Sequence, residues 1–197
     1  MLLGTLLTIA VLLYSVILHE IAHGAAALYF GDSTAKDEGR LTLNPIPHLD
    51  LFGSILLPAF CILSGAPIFG WAKPVPVNFN FLSRKEEICV SLAGVLVNFG
   101  IAMVFGLILR FFGSDLNLNL MILLSLMVRI NLLLAVFNLM PIPPLDGWRI
   151  WGVWLPDDMR YFFETNAFMF LIILLVLLPY LPIFPLVQLF YSLITGM

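Results

Sequence analysis

Four long apolar runs dominate the chain, from about Met1 to Phe30, Ile88 to Phe112, Leu118 to Met140 and Ala167 to Leu181. A bilayer crossing takes about 20 mostly apolar residues in one helix, and each run is long enough or nearly so. Hydrophobic residues make up 61% of the 197 and charged residues only 11%, against roughly 25% charged in ordinary soluble domains. The expected fold is an all-α polytopic membrane protein with about four to six transmembrane helices. Two weaker segments stay open: residues 52 to 69, interrupted by Pro58, Gly65 and Pro67, and residues 183 to 195, which follow Pro179 and Pro182. Each can be read as a crossing, a re-entrant piece or an interfacial helix.

The connections set the expected topology. Lys36, Arg40, Lys73, Arg84 and Lys85 fall between the first and second strong runs, Arg149 and Arg160 fall in the 147 to 164 loop, and the 113 to 117 turn carries only Asp115. Cytoplasmic loops are rich in Lys and Arg. Residues 31 to 87 and 147 to 164 are therefore expected inside, and the N-terminus and the 113 to 117 turn outside, with Arg110 a minor exception. Segment 52 to 69 must then dip into the membrane and return. The opening run is read as a retained span, not a signal peptide, because no positive charge precedes it. The formal net charge of -3 is spread over short loops with no basic stripe, so nucleic acid is not an expected partner. Cys61 and Cys89 lie in or beside apolar runs and are expected to pack, without forming a disulfide framework or a zinc site.

His19, Glu20 and His23 form H-E-x-x-H at the end of the first run. At 3.6 residues per turn the two histidines share one helix face, where two imidazoles can bind one zinc ion. Glu20 projects near the same face and could take a proton from a water there. Ionisable residues inside lipid are costly and usually functional, which weighs against a chance match whose polar groups bond to neighbouring helices.

Catalytic zinc usually takes three protein ligands and keeps a fourth position for water, so one more ligand is needed. The metzincin continuation fails, because Ala26 and Tyr29 stand where its glycine and third histidine would be. Glu38, Asp50 and Glu164 lie in polar loops where water can satisfy them. Asp146 is different. It lies in NLMPIPPLDG, residues 138 to 147, where Pro141, Pro143 and Pro144 stop the preceding helix in a region short of water. It is either the third ligand or the cap of a turn after the break. A helix from Met1 reaches His19 after roughly 27 Å and one from Leu118 reaches Met140 after roughly 33 Å. Both motifs thus come near the inner end of an outside-to-inside span.

HEIAH in the first span with NLMPIPPLDG at the end of a later one resembles the site-2 protease family of intramembrane zinc metalloproteases. The resemblance continues through GRLTLNPIPHLD at 39 to 50, GWAKPVPVN at 70 to 78 and the G-x-x-x-N of Gly94 to Asn98, and covers most of residues 15 to 150. It implies one Zn2+ per chain held by His19, His23 and Asp146, with Glu20 as general base. It also implies a single integral-membrane protease domain over 1 to 197, multi-pass in the cell membrane, cutting transmembrane protein substrates near the cytoplasmic face. Many relatives carry a PDZ or CBS domain; none is expected here. The rival is a non-enzymatic zinc-binding membrane protein, either a transporter or an inactive relative that captures helices. The ionisable residues gather at one depth and Glu20 is intact, which favours the protease.

Five further residues are candidates for binding substrate. Asn98 follows Gly94 by one turn, and it either bonds to a neighbouring helix or positions substrate or water; the same alternatives hold for Asn138. In WAKPVPVNFNF, residues 71 to 81, Val77, Phe79 and Phe81 alternate with Asn78 and Asn80, a period-2 strand pattern that Pro74 and Pro76 confine to an edge, and Val75, Val77 and Phe79 are its candidates for contact with substrate. That segment is either part of a small re-entrant β-hairpin, as the resemblance also suggests, or a proline-rich surface turn. His48 is expected to be an interfacial residue and no ligand, and mid-span Arg129 must pair, face water or snorkel.

Overall fold

The computed structural model describes residues 2 to 64 and 71 to 197, and three of its helices are long and apolar enough to cross a membrane. Helix α1 (Leu2–Tyr29) leads into the short α2 (Thr34–Asp37), a 3-10 turn at Ile46–His48, a π-helical stretch at Leu51–Leu56 that runs on as α3 (Leu57–Ser64), and a 3-10 turn at Phe79–Phe81. The rest is α4 (Arg84–Phe112), α5 (Leu118–Asn138), α6 (Asp146–Gly152), α7 (Asp157–Thr165), α8 (Ala167–Leu177) and α9 (Ile183–Thr195).

Polar residues mark where the long helices begin. At the start of α4 the Ser83 N–H donates to Glu86 Oε2 at 2.7 Å and the Glu86 N–H to Ser83 Oγ at 3.4 Å, a reciprocal pair that satisfies two donors with no partner inside the helix. Asn117 Oδ1 accepts the Leu120 N–H at 3.0 Å and opens α5. The proline run after Asn138 ends α5, since Pro141 has no N–H to continue the ladder.

Helix α4 is the hub, packing against α1, α5, α6 and α9. Ala102 and Leu109 of α4, Leu124, Val128 and Leu132 of α5, and Ile183, Val187, Tyr191 and Ile194 of α9 form one apolar cluster. Gly106 permits the close approach of α9: a Cβ there would lie 2.4 Å from Ile194 Cγ2. The outward faces are apolar too, with Leu3, Leu6 and Ile9 of α1, Leu96 and Val104 of α4, and Phe168 and Val176 of α8 exposed. Such faces fit a multi-pass membrane protein, whose helices turn apolar side chains outward. Arg129 donates to Gln188 Oε1 at 2.7 Å and stacks 3.8 Å above the Tyr191 ring, a cation–π contact that supplies the pairing a mid-span cation needs.

Several expectations change. The run over Ala167 to Leu181 follows a sharp bend: α7 and the helical segment from Ala167 through Tyr180 meet at 68° at Asn166, so the described residues hold three spans, or four if that bent pair is one. Four is the lower edge of the range expected from the sequence, and three falls below it. Helix α9, at 13 residues, is short of the ~20 needed to cross by itself. The re-entrant β-hairpin is not supported, for no strand occurs among the described residues. Phe79, expected in a strand, begins a 3-10 turn. Pro74 and Pro76 cannot donate to a ladder, and the other donors of this segment go elsewhere: the Trp71 N–H to Gly53 O at 3.1 Å and the Lys73 N–H to His48 O at 2.8 Å. Of the 52 to 69 segment, the part up to Ser64 is helical, while Gly65 and Pro67, and Gly70 of the GWAKPVPVN motif, lie outside the described residues. His48 is fully buried, with Nε2 2.9 Å from Thr42 O, and so braces the loop. Cys61 is buried as expected for a packing residue, whereas Cys89 is exposed.

Candidate metal centre

Three helices contribute one face each. Ser15, His19 and His23 recur every four residues along α1 and so share a side; Val90, Gly94 and Asn98 do the same on α4, opposite them. Asp146, the first residue of α6, closes the third side. His19 Nε2 and His23 Nε2 lie 3.0 Å apart, and Asp146 Oδ2 lies 3.1 Å from the first and 3.2 Å from the second.

The outer nitrogens decide what these inner atoms carry. His23 Nδ1 is 2.7 Å from the Val90 carbonyl oxygen, which can only accept, so Nδ1 bears the hydrogen. His19 Nδ1 is 2.7 Å from Asn98 Oδ1 and donates likewise. A neutral imidazole with Nδ1 protonated presents a bare lone pair at Nε2. Two imidazole lone pairs and a carboxylate oxygen therefore point at one another, and Asp146 Oδ2 is buried without a hydrogen-bond partner. Such a set repels itself unless a cation sits between. Zinc bonds of about 2.0–2.2 Å in tetrahedral geometry separate ligands by about 3.3 Å, close to the observed spacings, so the group can hold a metal ion. Two histidines and one carboxylate leave a fourth position for water.

Glycines make this close approach possible. A Cβ on Gly94 would lie 2.4 Å from His23 Nε2 and 2.7 Å from His19 Nδ1. A Cβ on Gly147 would lie 2.2 Å from the Leu139 carbonyl oxygen, so the residue after Asp146 must be glycine if the chain is to fold back over the end of α5. The glycines of the G-x-x-x-N and LDG motifs are thus explained by backbone and ring clearance.

Glu20, half-buried, accepts the Val75 N–H at Oε2 over 2.6 Å. The 71 to 78 segment is fixed beside the site by ionisable side chains from the preceding loop. Arg40 Nη2 donates to the Lys73 carbonyl at 2.8 Å and the Pro74 carbonyl at 3.1 Å, and the Asn78 N–H donates to Asp32 Oδ2 at 2.7 Å. Burial alone would raise the Asp32 carboxyl, but hydrogen bonds from the Thr34 hydroxyl, the Asn78 N–H and the Thr34 N–H outweigh it and hold the group below its usual range. Asp32 therefore stays ionised as an anchor. Gly24 lets the segment come close, since a Cβ there would meet Val75 Cγ1 at 2.9 Å.

On the other side, Glu87 is buried between Arg160 and Arg149, the latter at 3.5 Å, and ties the start of α4 to α6 and α7. The Arg149 guanidinium lies 3.8 Å above the Phe79 ring. With Val77, Asn78 and Asn80 these groups line a cavity of about 530 Å³.

The structure thus brings His19, His23, Asp146, Glu20, Asn98 and Val75 together. Val77 and Phe79 line the neighbouring cavity, and Asn138 turns its Nδ2 back to the Leu134 carbonyl at 3.0 Å, away from the three ligating groups. Sequence reasoning missed Ser15, Asn131, Arg40 and Asp32. Asn131 had a signal: it is a second amide two turns before Asn138 in an apolar run.

Compared with known proteins, the chain is 42% identical to "Putative zinc metalloprotease YwhC" of Bacillus subtilis over 158 residues, 76% of this chain and 69% of that protein. It is 33% identical to "Putative zinc metalloprotease Rip2" of Mycobacterium tuberculosis over 172 residues, covering 66% of that protein, and 30% identical to "Zinc metalloprotease MJ0392" of Methanocaldococcus jannaschii over 155 residues, covering 36% of it. The chain thus spans about two thirds of the length of the first two. No protein-family model matches it, and no solved structure does.

Proposed function

The chain belongs to the zinc metalloprotease family of these relatives, and from that premise we propose that it is an intramembrane endopeptidase of the site-2 type, one domain that cuts transmembrane substrates near the cytoplasmic face. The observation that carries this reading is the trio of mutually facing lone pairs on His19, His23 and Asp146 with the Glu20 carboxylate beside it. The intact glutamate favours hydrolysis over transport. So does the fact that no second group of three potential ligands is found among the described residues.

In this reading His19 Nε2, His23 Nε2 and Asp146 Oδ2 hold one zinc ion. Zinc, when bound, polarises a scissile carbonyl and lowers the pKa of water. Glu20 Oε2 takes the proton of the attacking water and passes it to the nitrogen of the leaving amine. The Val75 N–H keeps that carboxylate in place, and α4 covers the opposite side of the imidazoles. The test is cleavage of single-span substrates by the purified protein in proteoliposomes, with metal analysis and product masses. Wild type is expected to carry one zinc per chain and to cut near the cytoplasmic end of the substrate helix, and Asp146→Ala to lose both zinc and cleavage. Full zinc and full activity in Asp146→Ala would refute the ligand assignment; zinc without cleavage in wild type would favour a non-enzymatic role.

A substrate helix keeps its peptide groups in internal hydrogen bonds and must unwind before a carbonyl can be reached. Its freed groups then need partners. The N–H of Val77 has none among the described residues, while those of Val75 and Asn78 on either side are used, so Val77 offers a donor to an unwound substrate. Val77→Pro removes this donor and breaks no backbone N–H hydrogen bond found among the described residues. One hydrogen bond of this kind is worth about 1 kcal/mol, so cleavage of a stable-helix substrate is expected to fall about fivefold with zinc content unchanged. A substrate with Gly or Pro near the cut should recover part of that loss. Wild-type rates in Val77→Pro would reduce the segment to a surface turn.

A further inference from the structure

Asn98 orients His19, but a carboxamide can be turned either way round. Its oxygen and nitrogen have nearly the same shape, and only the oxygen can accept the hydrogen of His19 Nδ1. What sets the amide is a chain of bonds that ends on main-chain carbonyls. Asn131 Nδ2 lies 2.9 Å from the Met127 carbonyl and 2.9 Å from Ser15 Oγ. A carbonyl only accepts, so this atom must be the nitrogen, and Asn131 Oδ1 must face the other way. There it meets Asn98 Nδ2 at 2.8 Å, and the same nitrogen lies 3.3 Å from the Ser15 carbonyl. Asn98 Oδ1 is thereby left facing His19 at 2.7 Å. Both asparagines are 0% exposed, so water cannot replace any member.

We propose that Asn131 of α5 is a positioning residue for the metal centre: it fixes the amide of Asn98, and through it the tautomer of His19 that leaves Nε2 free to bind zinc. The proposal rests on the zinc reading above. With the amide reversed, the Asn98 nitrogen would face His19 Nδ1, the imidazole would carry its hydrogen on Nε2, and that nitrogen could not ligate. His23 needs no such device, since it bonds directly to the Val90 carbonyl.

The test is zinc affinity, measured by chelator competition on the purified full chain, together with the absorption spectrum of the cobalt-substituted protein and circular dichroism as a folding check. Asn131→Leu removes the orienting group, and loss of a partner behind a metal ligand typically costs 10- to 100-fold in affinity. That loss is the expected result. Asn98→Asp in the same background presents an oxygen to His19 whichever way it turns, so Asn98→Asp/Asn131→Leu is expected to regain affinity to within a few-fold of wild type. Asn131→Asp in its neutral form donates its O–H to the Met127 carbonyl, keeps an oxygen towards Asn98 and is expected to hold zinc nearly as well as wild type, which gives a reading even if Asn131→Leu does not fold. Wild-type affinity in Asn131→Leu, a double variant no better than the single one, or an Asn131→Asp as weak as Asn131→Leu would each overturn the proposal. Failure of the zinc reading looks different: wild type itself, or His19→Ala equally with it, would show no specific zinc binding.

Discussion

Glu20→Gln is expected to bind one zinc per chain with the affinity of wild type and to cleave substrate at least 100-fold more slowly, within the roughly 10²- to 10⁴-fold contribution of a general acid–base group. The prediction separates two jobs of the same side chain. One is structural: Oε2 accepts the Val75 N–H at 2.6 Å and so holds the 71 to 78 segment beside the centre. A glutamine oxygen can accept the same bond, and none of the three ligating atoms belongs to residue 20, so the fold and the metal site should survive. The other job is chemical, since an amide cannot take a proton from water or return it to the leaving amine. In the proposed mechanism Glu20 acts at both steps, which places the expected loss towards the upper end of that range. Metal analysis beside single-turnover cleavage reads both quantities. A variant that keeps more than a tenth of the wild-type rate would show that another group moves the proton.

The parts of the centre that were legible in the sequence are those whose geometry is local. His19 and His23 share a face because a helix repeats every 3.6 residues, and Asp146 stood out because three prolines ended a span just before it. The polarity of the site was not legible. His23 takes its tautomer from the Val90 carbonyl, a group every residue possesses, and His19 takes its own from two amides on two other helices. Such contacts depend on how α1, α4 and α5 pack, which no spacing encodes. The 71 to 81 segment misled for a physical reason. Its alternation of Val77, Phe79 and Phe81 with Asn78 and Asn80 is real, but two prolines remove ladder donors, and two of the remaining N–H groups are captured by carboxylates 55 and 46 residues back in the chain, Glu20 and Asp32. What the run from Ala167 could not show is the 68° bend that precedes it at Asn166, because apolar composition gives the length of a segment and not its angle to the helix before it.

Gly94→Ala should cost at least about 100-fold in zinc affinity and abolish cleavage at ordinary zinc concentrations, although it adds a single methyl group. Its Cβ would fall 2.4 Å from His23 Nε2, 2.6 Å from His19 Cε1 and 2.7 Å from His19 Nδ1. Those neighbours are rigid rings and not the ends of flexible chains. Neither ring can simply swing away, for His23 is held by Val90 and His19 by Asn98, four residues before and four after the glycine on the same helix. If α4 retreats, both hydrogen bonds stretch; if the rings rotate, both lone pairs leave the centre. Disturbing one partner of a ligand typically costs 10- to 100-fold, and here two are disturbed together. Helix formation gives no reason for loss, because alanine is favoured over glycine within a helix by about 1 kcal/mol. Gly100→Ala makes the same change six residues further along α4, where a Cβ would meet nothing within 4 Å, and it is expected to bind zinc as wild type does and to unfold at a slightly higher temperature. Zinc affinity within a few-fold of wild type in Gly94→Ala would mean that α4 does not press on the imidazoles, and the placement of the centre between α1 and α4 would have to be abandoned.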